Sequence, residues 1–354
     1  MSSPPCYDGG RSGREGRRPS IPGPLATLAT MALLAAATVA SGSRASQERR
    51  PEESKAQADA VAKAEAAVAG AKTPQEKSAA MVGLGRVYFD EGEEKQAESQ
   101  YLAALDLDPS NGTAHLELGR VDIAAHNLAK AGSEFKEVIR LAPGAGAGYA
   151  ALGALLAETG HSAEARPLLE KAVDLDSEDW SSRYRLALIL IAAGDPARAH
   201  SLLQEVVQLD SSYMPAREQL ALEYLRHGDT SGATAEAQQM LAKSPNAPEG
   251  HRILALISWK SREFESSLAE CALALQGDPH SEQVLALQAL NLWQLDRKKE
   301  ARQVLGEIAR DPEMRGSFAN ADLFCRLVVC GSQDAGVVGD FLRRNRWVVY
   351  PDQP

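Results

Sequence analysis

Aromatic residues are scarce in this chain. Phe, Trp and Tyr make up 5% of its 354 residues, whereas apolar residues as a whole make up 44%, with alanine and leucine dominant. Sheets favour β-branched and aromatic side chains, while close-packed helices favour alanine and leucine. The composition therefore predicts an all-α protein.

Cysteine is also rare, and the four present do not suit a disulfide framework. Cys6 precedes an apolar segment, and Cys325 and Cys330 are five residues apart, which on a helix points their side chains in different directions. We interpret Cys271, Cys325 and Cys330 as small buried apolar residues.

Sequence motifs for catalysis, cofactors and metals are missing. There is no nucleophile elbow, phosphate loop or zinc-protease pair, and the glycine-rich stretch at 144–149 follows no predicted strand. No histidine has a second ligand at metal-binding spacing, so solvated or turn positions are expected for all seven. These are His115, His126, His161, His200, His227, His251 and His280. We therefore predict no catalytic residue, no cofactor, no metal and no enzyme activity.

The charge balance excludes one class of partner. The formal net charge is -10, and because residues 1–50 hold seven arginines against three acidic residues, the rest of the chain carries a net -14. Such a body repels nucleic acid.

Residues 1–50 have the pattern of a targeting segment. Four arginines between residues 11 and 18 precede an apolar run at 25–40, which Ser41-Gly42-Ser43 follows. A sixteen-residue helix is about 24 Å long, shorter than a hydrocarbon core of roughly 30 Å. The segment predicts either a cleaved signal peptide, cut between Ala40 and Ala45, or an uncleaved membrane tether through residues 25–40. In both cases the body is extracytoplasmic, either periplasmic or secreted.

A period of 34 residues runs through the chain from residue 78. Seven units follow without a gap, and they start at Ser78, Gly112, Gly146, Trp180, Met214, Pro248 and Glu282. The eighth residue of every unit is glycine or alanine, and the twentieth is alanine or, once, serine. Small residues at matched positions let two antiparallel helices approach closely. Each unit is therefore predicted to be a pair of packed helices.

Larger apolar residues and helix stops complete the pattern. Apolar residues recur at the seventh, eleventh, twenty-fourth and twenty-seventh positions, which keeps one stripe inward on each helix. Prolines such as Pro109 and Pro143 end helices between units. Glycine marks the turn within a unit at Gly92, Gly160, Gly194 and Gly228.

With Leu-Gly, Tyr, Ala, Phe and Pro at these offsets, the chain resembles the tetratricopeptide repeat (TPR) proteins. The resemblance covers residues 78–315 and implies an all-α, right-handed α-α superhelix, the TPR solenoid, with seven repeats. Around it we predict a signal or anchor segment at 1–50, a capping helix at 51–77, and a degenerate eighth repeat with a C-terminal cap at 316–354. Arg262 and Asp296 replace the turn glycine and Gln288 replaces leucine, so we expect less regular packing in the last two repeats.

The resemblance also implies a site, because the first helices of such solenoids line a concave groove whose exposed residues select the ligand. The groove is predicted to have a cationic N-terminal end and an apolar C-terminal shelf, in which Trp259 and Trp293 are candidate interface anchors. The predicted groove residues are Arg86, Phe89, Arg120, Ile123, Tyr184, Leu188, Leu222, Arg252, Leu256, Trp259, Lys260, Leu290 and Trp293. Leucines at these positions can also pack adjacent first helices together, and the two tryptophans can have simple core roles. Both alternatives stay open.

A groove of this kind suits an extended or helical peptide with apolar anchors and an acidic head. We predict a non-catalytic protein-protein interaction scaffold that binds a peptide or partner protein and assists an extracytoplasmic assembly process. The lysine and asparagine pattern of TPR proteins that bind chaperone tails is missing beside Arg86 and Arg120, so that specificity is not expected. The alternative function is an accessory or regulatory subunit that docks on an envelope enzyme through its convex or terminal surface.

Overall fold

The computed structural model describes residues 51–310, and within them it contains fifteen α-helices and no strand. The all-α solenoid predicted from the period is confirmed. The predictions for residues 1–50 and 316–354 lie outside the described residues.

A single helix is followed by seven helix pairs. Helix α1 spans Pro51–Gly70. The pairs are α2 (Pro74–Asp90) with α3 (Glu94–Leu107), α4 (Gly112–Ala124) with α5 (Leu128–Leu141), α6 (Gly146–Glu158) with α7 (Ser162–Leu175), α8 (Trp180–Ala193) with α9 (Pro196–Leu209), α10 (Met214–Arg226) with α11 (Thr230–Lys243), α12 (Pro248–Lys260) with α13 (Phe264–Gly277), and α14 (Glu282–Gln294) with α15 (Lys298–Arg310).

The first helices of six pairs begin at the residue that the period predicts. Helix α2 begins four residues early, at Pro74, because Thr73 and Glu76 form a capping box ahead of it and proline suits the first helical position. Asn111 and Asp179 cap later helices by accepting hydrogen bonds from backbone N–H groups of the first turn.

The turn inside every pair contains one residue in the left-handed backbone conformation, with a positive φ. Glycine holds this position in four units, at φ between 77° and 83°, as predicted. His126, Arg262 and Asp296 hold it in the other three, at φ 60°, 62° and 58°. The loss of glycine therefore does not alter the turn in the last two units, where we expected irregularity.

Within a pair, small residues allow close contact. A Cβ placed on Gly85 or Gly119 would lie 2.4 Å from the ring of Tyr101 or Phe135, on the second helix of the same unit. The alanines and the one serine at the twentieth position are all 0% exposed. The predicted close approach of the two helices is confirmed.

Neighbouring units stack in one direction. Each second helix packs against its own first helix and against the first helix of the next unit, and first helices also contact one another, as in α2 with α4 and α10 with α12. Helix α1 packs on α2, with Val61, Ala64 and Val68 half-buried on one stripe. The first helices thus form one layer of the solenoid, with direct contact between those of units 1 and 2, 3 and 4, 5 and 6, and 6 and 7.

Candidate functional site

The candidate site is the side of this layer that faces away from the second helices, here called the first-helix face. It consists of the fifth, sixth, ninth, twelfth and thirteenth positions of each unit. Residues three or four apart lie on one side of a helix, so these positions form one surface that crosses all seven units.

At the N-terminal end of the first-helix face, two arginines surround one carboxylate. Arg86 Nε and Nη2 lie 2.9 and 2.8 Å from Glu117 Oε1, and Arg120 Nη1 lies 3.5 Å from Glu117 Oε2. The Glu117 side chain is 6% exposed, whereas those of Arg86 and Arg120 are 51% and 59% exposed. Asp90, exposed on the same face, acts on Tyr101 together with these three groups, so the cluster holds two acidic and two basic residues. The exposed guanidinium groups still have N–H donors that a ligand could use.

Tyr184, at the fifth position of unit 4, belongs to an aromatic cluster with Trp180, at the start of the same helix, and Tyr213, in the loop that follows α9. The ring of Tyr213 lies 4.6 Å from that of Trp180 and 5.0 Å from that of Tyr184, the latter edge to face. All three side chains are half-buried. Burial and the neighbouring Tyr213 raise the pKa of Tyr184 above its usual range, so this hydroxyl stays protonated at neutral pH.

A row of leucines continues from the cluster towards the C-terminal end. Leu188, Leu222 and Leu256 occupy the ninth position of three successive units, and all are half-buried. Each therefore packs against its neighbours and still leaves apolar surface on the face. Phe89 and Ile123, at the twelfth position of units 1 and 2, are half-buried as well.

The C-terminal end is more closed than the sequence indicates. Trp259 and Leu290 are 8% and 6% exposed and belong to the core cluster between units 6 and 7. The structure therefore places both among core residues, with little surface for a ligand. Trp293 is half-buried, and Lys298 Nζ lies 5.9 Å from the centre of its ring.

Two predicted cations at this end are engaged within the array. Arg252 forms an ion pair with Glu218 of the preceding unit, and the side chains are 18% and 11% exposed. Burial lowers the pKa of Arg252 to about 10, so it is still charged at neutral pH. Lys260 Nζ donates a hydrogen bond to the backbone oxygen of Leu225, 2.7 Å away, at the end of α10.

Sequence reasoning missed a set of polar side chains at the fourth position of units 2 to 6. These residues are His115, Tyr149, Arg183, Arg217 and His251. Each contacts a backbone oxygen of the loop that precedes its helix. The prediction that the histidines are solvated or lie in turns is wrong for His115 and His251, because these contacts hold their side chains at 14% and 11% exposure. A repeated polar residue, often with glutamate nineteen residues later, is the signal that could have found them.

Gln288 has a local effect. It replaces the leucine of other units and lines a polar cleft of about 270 Å³ in the last described pair, together with Leu292, Arg297 and Val304.

Within residues 51–310, no three His, Cys, Asp or Glu side chains are grouped to hold a metal ion. In the same range no helix is long and apolar enough to cross a membrane.

Family models described as tetratricopeptide repeat match residues 39–112, 82–146, 156–207 and 190–257. These matches span more than half of the chain, which therefore belongs to the tetratricopeptide repeat proteins. The TPR fold is that of protein-protein interaction scaffolds, which are generally non-catalytic.

Solved structures share this fold. PilF of Pseudomonas aeruginosa is 18% identical, with a TM-score of 0.55 over 61% of this chain and 98% of that one. PilW, a type IV pilus biogenesis factor, is 17% identical, with a TM-score of 0.51 over 58% and 96%. Cut9 in its hetero-tetramer with Hcn1, from the APC/C, is 17% identical, with a TM-score of 0.56 over 67% and 46%. No curated protein sequence matches the chain.

Proposed function

We propose that this chain is a non-catalytic scaffold that binds a peptide or partner protein on the first-helix face. The observation that carries the proposal is the pair of exposed guanidinium groups at Arg86 and Arg120, which lie on the same face as the half-buried leucine row of units 4 to 6. The body of the chain is acidic, yet both guanidinium groups are more than half exposed at the N-terminal end of the face.

The ligand proposed is a segment with an acidic head and apolar anchors. Arg86 and Arg120 share one buried carboxylate, and they can place their remaining N–H donors on an acidic side chain of the ligand. Tyr184, Leu188 and Leu222 would cover apolar side chains further along the same segment. Trp259 and Leu290 would contribute by supporting the shelf from beneath, since both are buried.

We also propose that the scaffold works outside the cytoplasm, in an assembly process, as a cleaved or membrane-tethered protein. The arginine-rich lead and the apolar run at 25–40 support this location. PilW is a precedent for the fold in a biogenesis factor, at a level of identity that shows the fold alone.

Capture of partners by the full chain, followed by affinity measurements on the captured partner, tests the proposal. The double variant Arg86→Ala, Arg120→Ala should weaken binding at least about tenfold, because charge-assisted hydrogen bonds are lost. Arg140→Ala is the matched control, since Arg140 is 67% exposed on a second helix and pairs only with Glu137 among the residues described. Equal affinity for the double variant and the wild type would contradict the proposal.

A second candidate function has its own support. Large apolar side chains are exposed by 36–47% on second helices, away from the first-helix face, at Leu102, Leu107, Leu128, Leu209 and Leu273. An accessory subunit that docks on an envelope enzyme through its outer surface would use such residues. Loss of the partner with Leu102→Ser and Leu209→Ser, but not with the double arginine variant, would favour this function.

A further inference from the structure

The fourth residue of units 2 to 6 ties its helix to the loop before it. In units 2, 3, 5 and 6 the acceptor is the backbone oxygen of the same loop position, and the acceptors are Pro109, Pro143, Ser211 and Pro245. This loop connects one unit to the next. The contacts therefore act on the junctions between units.

In units 2 and 6 the tie is a histidine with two contacts. His115 Nδ1 lies 2.6 Å from Glu134 Oε2, and His115 Nε2 lies 3.2 Å from the Pro109 oxygen. His251 repeats the arrangement, with Nδ1 2.8 Å from Glu270 Oε2 and Nε2 3.1 Å from the Pro245 oxygen. Both rings are enclosed, with side chains 14% and 11% exposed.

These contacts determine which form of the ring fits. A carboxylate and a backbone carbonyl only accept hydrogen bonds, so both ring nitrogens must donate. A neutral imidazole carries one N–H and can satisfy only one of the two acceptors. The complete set of contacts therefore requires the doubly protonated, positively charged ring.

Unit 5 makes the same contacts with a permanent cation. Arg217 Nη1 donates to Glu236 Oε2 at 2.7 Å, and Arg217 Nε donates to the Ser211 oxygen at 3.1 Å. Arginine does not lose its proton in proteins. Position for position, the two histidines are titratable versions of this arginine.

We propose that His115 and His251 are proton-dependent clamps of the junctions between units 1 and 2 and between units 5 and 6. When the rings are protonated, both hydrogen bonds form and each loop is fixed to the helix that follows. When the rings lose a proton, one bond breaks and these two junctions loosen, while the junction clamped by Arg217 does not change. The array thereby becomes stiffer in an acidic compartment.

The charged groups that face the two rings are carboxylates. Glu134 and Glu137 face His115, and Arg140 pairs with Glu137, while Glu270 faces His251. Each ring thus has a carboxylate within hydrogen-bond distance of Nδ1, and a carboxylate can only accept this bond. The second bond, to the backbone oxygen, needs an N–H on Nε2 as well, so the two bonds exist together only with the doubly protonated ring.

Hydrogen exchange of the loop amides in the full chain tests the proposal without any mutation. The reporters are the N–H groups of Asn111 and Ala247, which donate within the clamped loops to Asp108 and Ser244. Their protection, corrected for the intrinsic exchange rate at each pH, should fall about tenfold between about pH 5.5 and about pH 8. The matching amide of Tyr213, in the loop held by Arg217 and also by Lys243, should not change. An equal response of all three loops would overturn the proposal.

Substitutions supply the second arm. His115→Arg should make protection at Asn111 independent of pH and leave the response at Ala247 unaltered, and His251→Arg should do the reverse. His126→Asn is the control, because His126 is exposed in a left-handed turn that asparagine tolerates, and it should behave as wild type. If His115→Arg kept the wild-type pH response, the clamp would be refuted.

A spectroscopic measurement keeps the test valid should the variants fail to fold. Nitrogen NMR of the wild-type rings should show N–H protons on both nitrogens of His115 and His251 at about pH 5.5. A singly protonated ring in the folded protein at this pH would equally refute the clamp.

Discussion

The ring of Tyr101 fills the space beside Gly85, so that a Cβ at residue 85 would lie 2.4 Å from Cε1 of the tyrosine. Gly83, two residues earlier in the same helix, is exposed, and a Cβ there would have no neighbouring atom within 4 Å. Gly85 is therefore required for close packing of the two helices, whereas Gly83 faces solvent and has no packing role.

Gly85→Ala should lower the free energy of unfolding by about 1–3 kcal/mol, because the tyrosine must move. Gly83→Ala should raise it by roughly 0.5–1 kcal/mol, because alanine is the better helix former. Urea unfolding of the two variants, followed by circular dichroism, gives the comparison. Equal effects of the two substitutions would show that packing at residue 85 is not tight.

Arg262→Gly should stabilise the chain by about 0.5–1 kcal/mol, because arginine at φ 62° occupies a backbone region that glycine enters freely. Gly194→Ala, at φ 81°, should do the reverse by about 1 kcal/mol or more. Thermal unfolding measures both. The idea of turn strain fails if Arg262→Gly lowers the melting temperature.

Glu223 should make stability depend on pH. It is 1% exposed at the tenth position, where units 2 to 4 have Val121, Leu155 and Ile189. Its Oε1 pairs with Arg226, and its Oε2 has no partner among the described residues. Burial raises its pKa above the usual 4.5, although Arg226 and His227 act in the opposite direction.

A raised pKa means that the folded chain holds this proton more tightly than the unfolded chain does. The contribution of Glu223 is therefore complete below about pH 4.5 and is lost as the pH rises through the raised value. Glu223→Gln should match the wild type at the acidic end and exceed it by roughly 1 kcal/mol near neutrality. Denaturation at a series of pH values checks this, and a constant difference between the two proteins would contradict it.

Ser267 and Asn291 form a buried polar pair at positions where most other units have apolar residues. Asn291 Nδ2 donates to Ser267 Oγ at 2.8 Å, and Ser267 Oγ donates to the backbone oxygen of Ala255 at 2.8 Å. Ser267→Ala alone should cost about 1 kcal/mol, because it removes a buried partner of Asn291. The double variant Ser267→Ala, Asn291→Leu should recover most of the loss, since Ala131 of unit 2 and Leu155 of unit 3 hold the matching positions and pack in one core cluster. A double-mutant cycle measures this coupling, and additive losses would exclude it.

The architecture could be predicted from the sequence because it depends on small and large side chains that recur at fixed positions of each unit. The residues at positions eight, twenty and fifteen of each unit specify where helices touch and turn, and six first helices begin where the period places them. Even the substitutions Arg262 and Asp296 keep the turn, since backbone hydrogen bonds on either side, such as that from Glu263 N to Ser258 O, hold the chain in place.

The site was less predictable, because a repeat locates a position on a face but not the use that the side chain makes of it. Trp259 and Trp293 are equivalent in sequence, yet the first is 8% exposed in the core cluster that contains Leu290 of unit 7, whereas the second is half-buried. Arg252 and Lys260 are predicted groove residues, but contacts to the preceding unit engage both charged groups. Such pairings depend on which residues neighbouring units bring together, and the period alone does not contain that information.

Charged pairs on the first-helix face join unit 1 to unit 2 through Arg86 and Glu117, unit 3 to unit 4 through Glu158 and Arg185, and unit 5 to unit 6 through Glu218 and Arg252. Over these six units each of these ion pairs thus joins an odd-numbered unit to the unit that follows it. Insertion or deletion of two joined units together would keep both members of every remaining ion pair. Excision of residues 146–213, for example, would remove units 3 and 4, bring unit 2 against unit 5 and leave the other two ion pairs intact. Excision of only one of two joined units would leave one charged residue without its partner.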